Sequence, residues 1–203
     1  MSFETAAPAK SGIRADNARK NRCTTLLCVL ENPKTIANLG TAIRTTDSFG
    51  ISKMYLIDGF KIYDKKKLDS LSVSASRYCY VRVFKTTSDC LSHLEKKGYS
   101  NVMTSPHVKE CEINDDLNAH DFTQYKKLAV WFGNESTGIS KEAIEYANAC
   151  ISIKMCGIVE SLNLASCHAI AMYVISEQRR AARKSRETKD ITKTYTLLPP
   201  ING

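Results

Sequence analysis

The chain has 203 residues, 43% apolar and 25% charged, enough for one well-packed domain and with no composition shift that suggests a second. No apolar run approaches the length of a membrane span, and no secretory leader is expected. The formal charge of +8 is carried by two arms: residues 10–22 hold five basic side chains against Asp16, and residues 177–193 hold seven against Glu177, Glu187 and Asp190. Two basic arms on a nearly neutral body suit a grip on a polyanion; the plainer reading is a pair of solvated helix ends.

In chain order, β-branched and apolar runs predict strands at 24–30, 54–57, 80–84, 101–104, 128–132 and 150–153. Helical patterns fall between them at 36–49, 88–97 and 141–146, followed by a long helix from Leu162 to about Arg186. Alternation of this kind predicts an α/β fold around a mainly parallel sheet with helices on both faces. The stretch from Leu162 to Ile175 is apolar on nearly every side, so this helix is expected to be buried all round, against its own sheet or a second subunit. His168 lies inside it and reads as a satisfied core or interface histidine rather than a catalytic one. The expected organisation is a basic N-terminal arm (1–22), one catalytic domain (23–176), and a basic helical extension with a flexible tail (177–203).

The eight cysteines have irregular spacings and no C-x-x-C pair, so they read as free thiols of a cytoplasmic protein, mostly small core hydrophobes. The four histidines show neither i,i+4 pairing nor clustering with cysteine, and no metal site is proposed. The sequon at Asn134 is treated as coincidence, and the glycine-bounded loop around it lacks the Gly-Lys-Ser/Thr ending of a phosphate-binding loop.

Three segments stand out together. They are Asn38-Leu39-Gly40-Thr41-Ala42-Ile43-Arg44, Phe132-Gly133-Asn134-Glu135-Ser136-Thr137-Gly138, and the run from Ile153 through Lys154-Met155-Cys156-Gly157-Ile158-Val159-Glu160 to Ser161-Leu162-Asn163. Each is common alone. Glu135 follows a buried strand between glycines that allow close backbone approach, which marks a site residue, the alternative being a helix-start carboxylate. Arg44, six residues after Asn38 on one predicted helix, is expected near the same face. Taken singly it would be an exposed helix arginine.

In this order and at these separations the segments resemble the three signature motifs of the SpoU (TrmH-like) branch of the SPOUT methyltransferases, over roughly residues 26–175. The resemblance implies a deep C-terminal trefoil knot, which periodicity could never suggest because knots are exceptional among folds. It implies S-adenosylmethionine as cofactor, S-adenosylhomocysteine as product, and methyl transfer to an RNA ribose 2′-hydroxyl in a homodimer. Arg44 would activate that hydroxyl, better by stabilising oxyanion character than as a base, since a guanidinium stays protonated. Asn38 would orient Arg44 or the ribose, Glu135 would position substrate, and Ser161 and Asn163 would complete the pocket. Backbone around Ile153, Met155, Gly157 and Leu162, with Thr104 and Gly133, would hold the cofactor. RNA would be gripped by Arg14, Arg19, Lys20 and Arg22 on one arm and by Arg179, Arg180 and Arg183 on the other. Lys154 stands where the family often has proline and Ala165 where it often has serine, so the loop around Lys154 is less constrained than a proline would make it.

The compact size with short arms most resembles enzymes that methylate the D-loop guanosine of transfer RNA. Ribosomal RNA is the alternative target, and a catalytically silent RNA-binding protein of the same fold is the alternative class. An ordinary dinucleotide-binding enzyme is disfavoured because no G-x-G-x-x-G follows the first strand.

Overall fold

The computed structural model describes residues 22–72, 75–105 and 113–196, with side chains described through residue 188. Seven strands, β1 (Leu26–Glu31), β2 (Lys53–Ile57), β3 (Tyr80–Phe84), β4 (Ser100–Thr104), β5 (Asn114–Asp116), β6 (Leu128–Phe132) and β7 (Ala149–Ser152), form one sheet. Its order is β3-β2-β1-β6-β4-β7-β5 and every pairing is parallel. The helices are α1 (Ile36–Ser48), α2 (Lys65–Leu71), α3 (Thr87–Lys96), α4 (Lys141–Ile144) and α5 (Leu164–Thr196), with a 3-10 turn at Ala75–Arg77.

Central β1 and β6 are buried along their whole length, which is why they read as unbroken apolar runs rather than alternating ones. Their side chains still alternate between faces. Leu26, Cys28 and Leu30 join Leu39 and Ile43 of α1 and Met172 and Ile175 of α5 in one core. Leu27, Val29 and Trp131 join Leu91 and Leu94 of α3 and Ala143 of α4 in the other.

Two elements escape the sequence patterns for physical reasons. β5 is Asn-Asp-Asp, a short polar edge strand paired in parallel with β7, and it carries no apolar pattern. α2 buries only Leu68 and starts at Asp64, whose carboxylate accepts from the amides of Lys66 (2.9 Å) and Lys67 (3.1 Å). The long helix also runs ten residues past its expected end, to Thr196, unbroken through the boundary expected after residue 176. Its surroundings are one-sided: Ile170 and Tyr173 are 41% and 53% exposed, so a single chain does not bury it all round.

Cys23, Cys28, Cys79, Cys90, Cys156 and Cys167 are free thiols, and burial pushes Cys28 up to about 12. Cys150 corrects the expectation of free thiols throughout, since it is disulfide-bonded; irregular spacing carried no signal of that.

His168 is fully buried and meets Thr46 Oγ1 at 3.2 Å through Nε2 and the Phe132 ring edge-on, while its Nδ1 lacks a partner among the described residues. Burial lowers its pKa from 6.5 to about 3, so the ring folds neutral and the unfolded chain binds the extra proton. Its stabilising contribution is therefore complete above pH 6.5 and is lost as pH falls from there toward about 3. Wild-type stability should fall by up to about 1.4 kcal/mol per pH unit below 6.5, and His168→Gln should remove that component of the slope. Denaturant melts at about neutral pH and two units below check this; equal slopes for both chains would refute it.

Candidate active site

The sheet switches direction between β1 and β6: from β1 the chain winds toward β3, while β6 adjoins β1 on the other side. Loops leaving such a pair diverge and open a crevice at the carboxyl ends of the strands. Two of the three conspicuous segments meet there, and the third arrives from β7.

The loop after β6 is a closed turn. Asn134 and Gly138 exchange backbone hydrogen bonds, each 2.9 Å, and the Asn134 side chain accepts from the Ser136 amide (2.8 Å) while donating to the Asn32 carbonyl (2.6 Å). Gly138 has φ +68°. At Gly133 a Cβ would lie 2.2 Å from the Gly138 carbonyl carbon and 2.3 Å from the Ile139 nitrogen, so only glycine fits.

This turn holds Glu135 against the start of α1. Its Oε2 accepts from the Lys34 amide (2.9 Å) and its Oε1 from the Asn38 side-chain amide (2.7 Å); Lys34 Nζ also bonds Ser136 Oγ. Partial burial pushes the carboxyl up, but the Lys34 and Asn38 hydrogen bonds outweigh it and hold Glu135 below the usual range, so it is ionised near neutrality. Asn163 Nδ2 donates to Asn38 Oδ1 at 3.2 Å, while its own Oδ1 caps α5 by accepting from Ala165 (2.9 Å). Glu135, Asn38 and Asn163, drawn from three distant segments, thus form one hydrogen-bonded chain.

Arg44 is not part of it, which corrects the expectation of a shared face with Asn38. Six residues of helix amount to a rise of about 9 Å and a rotation near a third of a turn from full alignment. Arg44 is exposed, and its side chain has no partner among the described residues.

Beside the chain lies a cavity at the ends of β4 and β7, lined by Thr104, Ser105, Ile151, Ile153, Met155, Glu160, Ser161, Leu162, Cys167 and Ala171. Of the residues expected around the cofactor, Thr104, Ile153, Met155, Leu162 and Ser161 line this cavity. Gly133 and Gly157 do not line it, and a Cβ on Gly157 would meet nothing within 4 Å. Ser105, Ile151, Glu160, Cys167 and Ala171 lie outside the expected set: Ser105 and Ile151 sit at strand ends, Glu160 is inside the motif without a distinguishing neighbour, and Cys167 and Ala171 belong to a helix whose apolar pattern reads as core. Thr104 is fixed by donating to the Trp131 carbonyl (2.8 Å). Apolar walls with a few polar groups suit a nucleoside bearing a polar tail. Among the described residues no three His, Cys, Asp or Glu side chains group as a metal site, and no helix is long and apolar enough to cross a membrane.

The expected RNA-binding residues divide. Arg14, Arg19 and Lys20 lie outside the described residues. Arg22 pairs with Asp47, and Arg180 pairs with Glu177 and donates to the Phe49 carbonyl (3.1 Å). Arg179 is a strut, donating to the carbonyls of Phe122 and Tyr125, both 2.8 Å, and to Thr25 Oγ1 (2.9 Å). Arg183 lies 3.6 Å from Glu187. With Lys126 and Arg186 these arginines border a cavity of about 450 Å³ at the amino ends of β1 and β6. One strand length, about 20 Å for six residues, separates it from the Glu135 cluster.

The model of the SpoU rRNA Methylase family matches residues 25–173. A tRNA (guanosine(18)-2'-O)-methyltransferase of Borreliella burgdorferi is 29% identical over 202 residues, covering 91% of this chain and 87% of its own length. The enzyme of that name from Thermus thermophilus is 27% identical over 172 residues, covering 83% of each chain. The crystal structure of an A. aeolicus TrmH/SpoU tRNA modifying enzyme superposes with a TM-score of 0.71 at 24% identity, covering 83% of this chain and 84% of that one. The SpoU methyltransferase AviRb from Streptomyces viridochromogenes, crystallised with AdoMet, gives 0.66 at 23% identity, over 79% and 62%. At these identities the structural likenesses establish the fold.

Proposed function

Because this chain belongs to the SpoU rRNA Methylase family, we propose that it is an S-adenosylmethionine-dependent RNA ribose 2′-O-methyltransferase that acts on transfer RNA, at a D-loop guanosine, in the cytoplasm. The observation that carries the reading is the Glu135–Asn38–Asn163 chain standing beside the cavity lined by Ser161 and Leu162. The preference for transfer RNA over ribosomal RNA rests on relatives that match over most of both chains and bear that name.

The cavity measures about 70 Å³ and would have to widen to admit S-adenosylmethionine; Ile153, Met155 and Leu162 would then hold the adenosine, and Ser161 and Glu160 the polar tail. When bound, S-adenosylmethionine supplies an electrophilic methyl group on a sulfonium that departs as a neutral thioether. The ribose 2′-oxygen forms the new C–O bond as the C–S bond breaks, and the hydroxyl proton leaves to solvent or a substrate phosphate. What the chain must add is a hydroxyl held in line and partial negative charge stabilised on its oxygen. Glu135, ionised, fixes the Asn38 amide; Asn38 in turn fixes Asn163; together with Ser161 they fix the ribose. Arg44 donates to the developing oxyanion.

Arg44 is not hydrogen-bonded to this chain of residues, so the proposal includes a homodimer in which α1 of one subunit faces the pocket of the other. Exposed apolar side chains at Ile158 and Val159 of the motif loop and Ile170 and Tyr173 of α5 support such an interface. The knot is likewise a proposal. Strand order supports it, since β7 occupies a gap between β4 and β5, both earlier in the chain.

The purified chain should bind S-adenosylmethionine in the presence of a chelator and transfer tritium-labelled methyl to an unmodified tRNA transcript, and 2′-O-methyl mapping should locate it on one D-loop guanosine. Sedimentation should give twice 22.6 kDa at micromolar concentration. Binding without transfer to any RNA would leave the catalytically silent reading.

A further inference from the structure

The free edge of the sheet carries a groove that the reaction centre does not use. It runs beside β3 on the face covered by α3, with a volume of about 750 Å³. Its walls come from three separate stretches: Lys61 in the loop after β2, Arg82 and Lys85 at β3, and Lys96 on α3, with Asp58 and Asp89 as its carboxylates. Asp58 is already engaged, accepting from the amides of Ile62 (2.8 Å) and Tyr63 (2.9 Å) and so closing its own loop. Among the described residues none of the four cations forms an ion pair.

Arg82 is held in place. Its Nη1 donates to His93 Nε2 at 3.2 Å, and the Tyr55 hydroxyl reaches the same nitrogen at 3.3 Å. Its guanidinium carbon lies 5.1 Å from the centre of the Phe84 ring. Burial, then Arg82, Lys97 and Lys96, lower the pKa of His93, so the ring stays neutral and accepts at Nε2. A guanidinium fixed on one side keeps its other N–H donors available as a planar fork, the shape that matches a phosphate.

Cations on an edge strand also deter pairing with another chain. That accounts for Arg82 and Lys85 but not for Lys61, which comes from a different loop, or Lys96, which comes from a helix. Location separates the two accounts further. The Gly59 amide donates to Asn32 Oδ1 (2.8 Å), and the Asn32 carbonyl accepts from Asn134 (2.6 Å), so the loop bearing Lys61 and the turn bearing Glu135 are fastened to one residue. The end of β3 lies two strand spacings, about 10 Å, from β1. Phe60, on the same loop, is 58% exposed and offers a face on which an unpaired base can stack.

We propose that this edge groove binds the phosphodiester backbone of the RNA strand flanking the nucleotide to be methylated, through Lys61, Arg82 and Lys85. The proposal rests on the reading of the chain as an RNA methyltransferase. The basic cavity at the amino ends of the strands lies at the opposite pole and does not reach these nucleotides within the same protomer. Contacts at the edge groove therefore set the register of the strand over the reacting ribose, a positioning role.

The test compares wild type with the triple variant Lys61→Glu, Arg82→Gln, Lys85→Glu and with the double variant Lys61→Glu, Lys85→Glu. The double variant changes only exposed side chains and leaves the Phe84 packing alone. The probe is an unmodified tRNA transcript, with methyl transfer and filter binding measured across a salt series and melting temperature and S-adenosylmethionine affinity measured alongside. KM for the transcript should rise tenfold or more, kcat at saturating transcript should stay within about twofold, and cofactor affinity should not move. The log–log salt slope of RNA binding should flatten by about two units in the triple variant. If wild type methylates the transcript while both variants keep its KM and salt slope, the cations only protect the sheet edge and the proposal is overturned. If wild type methylates no RNA, the parent reading fails and the groove assignment falls with it.

Discussion

Arg44→Ala should lower kcat by about a hundredfold or more while leaving S-adenosylmethionine affinity within a few-fold and the melting temperature unchanged. The magnitude is that of removing one donor that acts only in the transition state. Stability should not suffer because the side chain is exposed and unpartnered among the described residues; the Ser48 hydroxyl bonds the Arg44 backbone carbonyl (2.8 Å), which the substitution keeps. Arg44→Lys should not restore full rate, since an ammonium is a point charge and cannot reproduce a planar fork. Steady-state and single-turnover kinetics with a tRNA transcript separate the two parameters. Normal turnover in the alanine variant would remove Arg44 from the reaction.

Gly133→Ala should abolish most activity by a different route. The added methyl would lie 2.2 to 2.4 Å from three backbone atoms of Gly138 and Ile139, which cannot yield as a flexible side chain would. Relief requires opening the paired Asn134–Gly138 hydrogen bonds, and Glu135 then leaves the Lys34 amide and Asn38. We expect a loss of about 3 kcal/mol of stability, the upper end for overpacking, together with a fall in kcat/KM of about a hundredfold. Gly157→Ala is the matched control, because its Cβ would meet nothing within 4 Å, and it should be near neutral in both respects. Equal melting temperatures and equal rates for the two variants would refute the account of the turn.

Much of this architecture was legible in the amino-acid sequence alone. Parallel interior strands announce themselves as unbroken apolar runs because both faces are covered, and β1 and β6 are of that kind. Glu135, Asn38 and Asn163 were legible as members of three motifs, although no spacing could say that their side chains touch. The polar strand β5 and the charged helix α2 were not legible, since neither carries a periodic apolar face. Arg44 and Asn38 are close in sequence, but a separation of six turns their side chains about a third of a turn apart on α1, which the motif alone does not reveal. Charge counting located the arms but not their use: Arg179 reads as another surface cation, and only the fold shows three of its bonds going to the body. Glu31 gave no signal at all. At 2% exposure it accepts from the Thr87 and Ser140 hydroxyls, both 2.6 Å, and from the Ser140 amide (2.8 Å), joining the starts of α3 and α4 to the end of β1.

The position of β7 bears on how the chain reaches its native state. β1, β2 and β3 are consecutive in sequence and adjacent in space, so each can dock as it leaves the ribosome. β7 is made after both of its neighbours, β4 and β5, and its slot is complete only when the strand fills it. Pairings that close such long stretches carry a large loop entropy and make folding slow. Ile151 on β7 and Leu162 beyond it line the cavity proposed for the cofactor, so that cavity is completed only at the end of maturation. A nascent chain with its first strands already paired is still an empty scaffold, and any ligand that fills the cavity stabilises the step that completes it.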